Sequence, residues 1–383
     1  MAVYLDHAAG TPMRPAAVAA LTDAAARVGN PSSVHGHGQA ARAALEEARE
    51  RLAAVLDCDP LEVVLTSGGT ESVNLAITGA YRAARGRSDV LVPGGEHAAT
   101  VEAVDALVAS EGARLVPLEV DRDCRLDPAV LAEALAATSG SAALVTALWA
   151  NNEVGTVNPV AGLGAVAADA GVPLHLDAVA AFGSVVVSFR AARAALLSVS
   201  AHKVGGPAGI GALVVSRSAA LSPLLHGGGQ ERGLRSGTVA VPLAVAFVAA
   251  AEEAAAELEA EAAREARLRD RALTGLVAGL PGAVVRGADP AVPGARLPGN
   301  LHVTVPGADG EDLLLLLDAA GVSVSTGSAC LAGVARISPV LLAMGLRPDE
   351  ARGALRITFG HTSADADVDA LLAALPRLAA VVR

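Results

Sequence analysis

Between about residues 63 and 215 the chain alternates short runs of aliphatic and β-branched residues with longer stretches of helical character. The runs Val63–Thr66, Val90–Val92, Leu115–Pro117, Ala143–Leu148, Pro173–Leu176, Leu196–Ser200 and Ile210–Val215 predict seven strands. Helix-length segments such as Glu71–Ala84 and Thr100–Glu111 separate the early ones. Alternation of this kind predicts an α/β fold with a mostly parallel sheet covered on both faces. The pattern then changes. Val241–Leu280, rich in Ala, Glu and Arg with few breakers, predicts one or two long helices. Beyond the Pro/Gly-rich segment Pro281–Gly299 come strands at Asn300–Val305, Val322–Ser325 and Ala354–Phe359. Helices at Gly310–Ala320, Ser338–Met344 and Ala364–Val382 lie between and after them, and together they predict a small α+β unit. A chain of 383 residues is too long for one ordinary core. The expected division is a large domain over 14–255 and a small one built from 1–13 and 256–383.

No apolar run reaches the roughly 18–20 residues of a membrane span, and Asp6 and His7 interrupt the start where a signal peptide would lie. A soluble, cytoplasmic protein is expected, with no membrane partner. The net charge of −11 disfavours direct binding to a nucleic-acid backbone, which rewards clustered Lys and Arg. Cys58, Cys124 and Cys330 form no spaced framework, so neither disulfides nor a structural metal site is expected. One count changes the picture more than these. Of 29 Lys and Arg residues only Lys203 is a lysine. A chain that uses arginine wherever a positive charge suffices has kept one primary amine, which, unlike a guanidinium, can lose its proton and form a Schiff base.

Three short motifs suit one kind of cofactor. Ser67-Gly68-Gly69-Thr70-Glu71 follows a strand and opens a helix; glycines allow close approach, and free N–H groups favour an anion such as a phosphate. His175-Leu176-Asp177-Ala178 puts an acid at the carboxyl end of a strand, the edge where open α/β sheets bind ligands. A carboxylate there can hold a protonated pyridine nitrogen and keep the ring an electron sink. Ser200-Ala201-His202-Lys203 ends another strand and brings the lysine to the same edge. Anion site, strand-end acid and sole lysine together point to pyridoxal 5'-phosphate (PLP). Cys330 lies in Ser325-Thr326-Gly327-Ser328-Ala329-Cys330-Leu331-Ala332-Gly333, where small neighbours on both sides predict an accessible loop for a nucleophilic thiol. Cys58, among acids, and Cys124, in a turn, read as bystanders.

These motifs, with Thr66 to Ala76, Glu96-His97, Asn151-Asn152-Glu153-Val154-Gly155, His226 to Arg232 and Arg235-Ser236-Gly237-Thr238, occur in an order that resembles the cysteine desulfurases of the NifS/IscS type. Those enzymes belong to the fold-type I, aspartate aminotransferase-like PLP-dependent transferases. The likeness runs from Tyr4-Leu5-Asp6 to the last helix, and the Gly-Ser-Ala-Cys segment is similar to the branch with a long cysteine-bearing loop. The resemblance implies that Lys203 bonds PLP, that Asp177 pairs with the pyridine nitrogen, and that His97 stacks on the ring and assists proton transfer. It implies a phosphate held by Gly69, Thr70, Ser200 and His202, joined by Thr238 from the other subunit of a homodimer. Asn152 is expected to bond the ring's phenolic oxygen or the substrate, and Arg356 to clamp the substrate carboxylate; His35 and Arg232 have weaker claims. L-cysteine would leave as alanine and its sulfur as a persulfide on Cys330, destined for a sulfur-acceptor protein. Two departures from the family stand out. Ala180 occupies the position three residues after Asp177 where the family has Gln, and the sequence stops at Arg383 without the tail that scaffold-loading members use in docking. Selenocysteine lyase, another PLP transaminase or lyase, and a non-catalytic partner of a sulfur-transfer assembly are the alternative readings.

Overall fold

The computed structural model describes residues 2–327 and 337–380. Twelve strands run through them. They are β1 (Val3–Tyr4), β2 (Val63–Thr66), β3 (Asp89–Pro93), β4 (Arg114–Leu118), β5 (Ala142–Leu148), β6 (Leu174–Asp177), β7 (Leu196–Ser200), β8 (Gly211–Val215), β9 (Val284–Val285), β10 (Asn300–Thr304), β11 (Val322–Ser323) and β12 (Ala354–Thr358). Strands β2 to β8 form one seven-stranded sheet in the order β2-β8-β7-β6-β5-β3-β4. Its pairs are parallel from β7 across to β4, and β8 runs antiparallel to both of its neighbours. The central strands are buried throughout, as their unbroken apolar runs require, while β4 at the edge leaves Arg114, Leu115 and Pro117 exposed. All seven predicted strands are present within a residue or so of their expected ends.

Because β8 alone is reversed, β2, β3, β5, β6 and β7 all deliver their carboxyl ends to one edge of the sheet. A core cluster that includes Leu52, Leu163, Phe182 and Phe247 covers one face of the sheet, and a second that includes Leu75, Ile77 and Leu107 covers the other. Helix Val241–Gly279 is a single helix of 39 residues, packed against helices Pro15–Ala25 and Gly36–Leu56 near its start and against the last helix, Asp365–Ala379, further on. The remaining strands make two small sheets, antiparallel β12-β10-β9 and the parallel pair β1-β11, around a core that includes Leu301, Leu313, Ile357 and Leu371. The second pair joins the start of the chain to its last quarter. At the seam with the large sheet, Gly155 has φ +78°, and a Cβ there would stand 2.4 Å from Asn300 Oδ1. That oxygen accepts from Arg296, and Asn300 Nδ2 donates to the Glu153 carbonyl, so the seam is a polar one. Among the described residues no helix is long and apolar enough to cross a membrane.

The segment that carries the Arg235-to-Thr238 motif is fixed by a buried ion pair. Arg49 donates to both oxygens of Glu231 (2.8 and 2.7 Å) and to the Val63 carbonyl (2.7 Å), while Leu65 N–H donates to Glu231 (2.7 Å). Helix, strand and loop are thus tied at one carboxylate. Removing one partner leaves a buried charge unpaired, which costs about 3–5 kcal/mol. Glu231→Ala is expected to lower the urea midpoint by the equivalent of that cost, whereas Asp23→Ala, which breaks an exposed pair with Arg27, should change it by less than about 1 kcal/mol.

Candidate functional site

The carboxyl ends of five strands bring together most of the residues that the sequence singled out. After β2 the chain turns through Gly68 (φ +153°) into helix Gly69–Ala83, whose cap position carries no side-chain hydrogen bond. The N–H groups of Gly69, Thr70 and Glu71 have no acceptor among the described residues, which makes the helix start a ready anion site. A Cβ on Gly69 would meet Val179 at 2.8 Å and Ser200 at 3.5 Å, so only glycine lets this turn lie against the ends of β6 and β7. On the facing side Ser200 Oγ and His202 Nδ1 are 2.8 Å apart. Burial and the charge of Lys203 hold the His202 imidazole down to about 4, so it is neutral and offers a hydrogen bond without charge.

Asp177 ends β6 almost wholly buried. Its Oδ1 accepts from Val179 N–H at 2.9 Å. Burial pushes the carboxyl up, against that bond and the nearby Lys203 amine. A cation beside it, such as a protonated pyridine nitrogen, would restore the ionised form. Lys203 lies in the turn Ala201–Lys203 after β7. Its Nζ donates to the carbonyls of Ala8 and Ala9, the latter at 3.0 Å. Burial, then the charge of Arg356, draw the amine down to about 8 from its ordinary 10.5, and Asp6 and Asp177 oppose them. Cradle, acid and amine therefore fit the phosphate, ring nitrogen and carbonyl carbon of PLP.

Other expected residues fall nearby. His97 caps helix Ala98–Glu111 by accepting from Ala99 N–H at 3.1 Å, and the ring is exposed at the sheet edge. Asn152 lines a cavity of about 80 Å³ together with Lys203, Ala180 and Thr358. Arg356, in β12, is buried; its Nη1 donates to the Asn152 carbonyl at 3.0 Å and its Nη2 to Asp6 Oδ1 at 2.8 Å. Thr238 and Arg232 are exposed in a depression shared with Asn30 and Arg42, outside the Lys203 cavity. His35 caps helix Gly36–Leu56 by accepting from Gly38 N–H, a local structural role. Cys330 lies outside the described residues. Cys58 and Cys124 are buried, and both thiols are pushed up to about 12. For Cys58 the larger cause is burial rather than the flanking Asp57 and Asp59 that the sequence suggested.

Two further groups carry no catalytic motif of their own. Glu96 is buried within reach of the Asp177 charge; its Oε1 accepts from Leu148 N–H at 2.8 Å, while Oε2 has no hydrogen-bond partner among the described residues. Burial, with the charge of Asp177, pushes this carboxyl up to about 8, so near neutral pH it is mostly protonated. His302, opposite Arg356 in the β10–β12 register, is fully buried with neither ring nitrogen bonded among the described residues, and it is held neutral at about 3, burial being the main cause. The adjacency of Glu96 to His97 was the only sequence signal for the first, and nothing in the local sequence marks the second.

The class-V aminotransferase family model matches residues 3–371. An IscS-like cysteine desulfurase of Mycobacterium tuberculosis is 47% identical over 99% of this chain and 97% of its own length. A solved NifS-like protein superposes with a TM-score of 0.90 at 32% identity, covering 99% of this chain and 100% of its own. SspA, solved in complex with cysteine, superposes with a TM-score of 0.80 at 30% identity over 93% of this chain and 98% of its own.

An amine with its pKa near 8 reacts with acylating reagents as the free base. In protein stripped of cofactor, the rate of acetylation at Lys203, followed by mass spectrometry of its peptide, should rise with pH to a midpoint near 8. A midpoint near the ordinary 10.5 would contradict the burial described here.

Proposed function

The chain belongs to the class-V aminotransferase family, and within it we propose that it is a cysteine desulfurase, using PLP to move the sulfur of L-cysteine onto Cys330 and releasing L-alanine. The observation that carries this reading is the convergence, at one sheet edge, of the only lysine, a buried strand-end carboxylate and an open helix start. The full-length likeness to named cysteine desulfurases supports it.

Gly69, Thr70, Ser200 and His202 would hold the phosphate, with Thr238 of the partner subunit completing the cradle in a homodimer. Asp177 would pair with the ring nitrogen, His97 would lie beside the ring, and Asn152 would bond its phenolic oxygen or the substrate. When bound, PLP supplies an electron sink for the bonds at the substrate Cα. Lys203 is its anchor and the base of the site. With a pKa near 8, a useful share of Nζ is unprotonated near neutral pH and can take the Cα proton, whereas an ordinary lysine would hold its own proton almost completely. Arg356 would hold the substrate's α-carboxylate through its planar fork. The net transfer balances without an external oxidant. The Cβ–S bond of cysteine breaks, a bond forms between that sulfur and Cys330 Sγ, and the carbon skeleton leaves as alanine while the transferred sulfur is oxidised.

The assignment to Cys330 rests on its small-residue neighbourhood and on the state of the other thiols. A thiol with pKa near 12 is thiolate in only about one molecule in 10⁵ at pH 7, against a few per cent for an unperturbed one. The same reading makes a sulfur-acceptor protein the partner and the cytoplasm the place of action.

A pulse of L-cysteine without reductant should add the mass of one sulfur to the peptide containing Cys330. Cys330→Ser should retain the cofactor yet release almost no sulfide, while Cys58→Ser and Cys124→Ser stay active. Sulfur on either buried cysteine, or normal turnover by Cys330→Ser, overturns the reading and favours a lyase that never carries sulfur. Lys203→Arg should yield a colourless protein in which borohydride fixes no pyridoxyl group.

A further inference from the structure

Arg356 is the most constrained cation of the site. It stands mid-strand in β12, 5% exposed, with its backbone bridged to Ser325 on one side and paired with His302 on the other. Only two acceptors meet its guanidinium among the described residues, the Asn152 carbonyl on Nη1 and Asp6 Oδ1 on Nη2; Nε is buried without a partner. His302 is neutral and contributes no counter-charge. Glu153, which also feels the Arg356 charge, is engaged by Ser338 and is itself pushed up by burial. Among the described residues Asp6 is therefore the one carboxylate that bonds this cation.

Asp6 is held as firmly as the residue it holds. Tyr4 Oη lies 2.9 Å from the Asp6 carbonyl and 2.7 Å from the Gly10 carbonyl and shares its single hydrogen between them, closing the turn. Thr358, two residues beyond Arg356, donates its N–H to Leu5 and accepts from Ala8 N–H through its hydroxyl. The next carbonyls of the same turn, those of Ala8 and Ala9, receive Lys203 Nζ. One five-residue turn thus contacts both the carboxylate-binding cation and the amine.

We propose that Asp6 is the positioning residue of the carboxylate clamp: with the Asn152 carbonyl it pins one hydrogen on each terminal nitrogen of Arg356, leaving the other two as a pre-set fork for the substrate's α-carboxylate. This rests on the reading of Arg356 as the substrate clamp. Asp6 also acts at a distance as the counter-charge between Arg356 and the amine. The titratable groups around this turn include Tyr4 and His7 on its own segment, Arg356 from β12, His202 and Lys203 after β7, Asp177 from β6, Arg264 from the long helix Val241–Gly279, and His361 beyond β12. Of these, Arg356 draws the Lys203 pKa down while Asp6 and Asp177 draw it up. Removing the Asp6 charge must therefore lower it.

Asp6→Ala, Asp6→Asn and Arg356→Lys separate the parts of the proposal. In the holoenzyme Asp6→Ala is expected to raise KM for L-cysteine about tenfold, the loss of roughly one charged hydrogen bond, with kcat changed by less than about threefold. Asp6→Asn keeps an acceptor for Nη2 and should recover most of that KM. In stripped protein both variants should move the acetylation midpoint of Lys203 downward, which a purely structural role would not do. The inference is overturned if Asp6→Ala leaves KM within about twofold of the parent, or if the Asp6→Asn midpoint stays in place; the latter decides even if Asp6→Ala does not fold. If Arg356→Lys raises KM and Asp6→Ala does not, only the positioning role of Asp6 fails. If Arg356→Lys leaves KM unchanged, the clamp reading itself fails and takes this inference with it.

Discussion

Low hydration of one amine governs the arrangement of this site. Lys203 Nζ is offered two backbone carbonyls, which accept hydrogen bonds but bring no full charge, and it lies near the guanidinium of Arg356. Burial and that guanidinium disfavour the ammonium form, whereas the two carbonyls, as acceptors, favour it and only partly replace the lost water. A surface lysine would be useless as a base near neutral pH, so the fold has to bury the group, and burial has to be arranged from several directions. The turn after β7 supplies the lysine, the N-terminal turn supplies the carbonyls, and β12 supplies the neighbouring cation. The acids Asp6 and Asp177 then limit how far the amine is depressed.

The large sheet was legible because its strands are buried on both faces and so read as unbroken apolar runs. Its site residues were legible for a related reason: they sit where such runs stop, at Thr66, Asp177 and Ser200, and a polar residue at the end of a buried strand is conspicuous. The single lysine needed no pattern at all. Helices Pro15–Ala25 and Gly36–Leu56 were not read, since the first is nearly all alanine and small residues and the second carries charged residues over most of its surface. The two-residue strand β9 was hidden inside a segment whose prolines and glycines signal only turns.

What the sequence could not provide was partnership across distance. Asp6 looked like an interruption of a hydrophobic start until its pairing with Arg356 was seen. His302 sits in a strand as apolar as its neighbours and shows its unbonded nitrogens only in three dimensions. Glu96 was visible as a letter beside His97, but its burial within reach of the Asp177 charge, and hence its protonation, follows from β3 and β5 lying side by side. Local pattern identifies which groups reach the sheet edge; charge state depends on what the rest of the chain packs over them.

The parallel pairing of β1 with β11 has a consequence for synthesis. The first strand has no hydrogen-bonding partner until Val322–Ser323 has been made, and Asp6 waits for Arg356, 350 residues later. At about 5–20 residues per second β1 and Asp6 spend roughly 15–70 s without these partners. The large sheet, whose strands all lie between Val63 and Val215, can assemble in that interval, and the bonds from Thr11 N–H to His202 and from Arg14 N–H to Gly205 can bring Ala8 and Ala9 to Lys203, but Arg356 joins them only later. Until Arg356 arrives, the amine lacks the guanidinium that helps to draw off its proton.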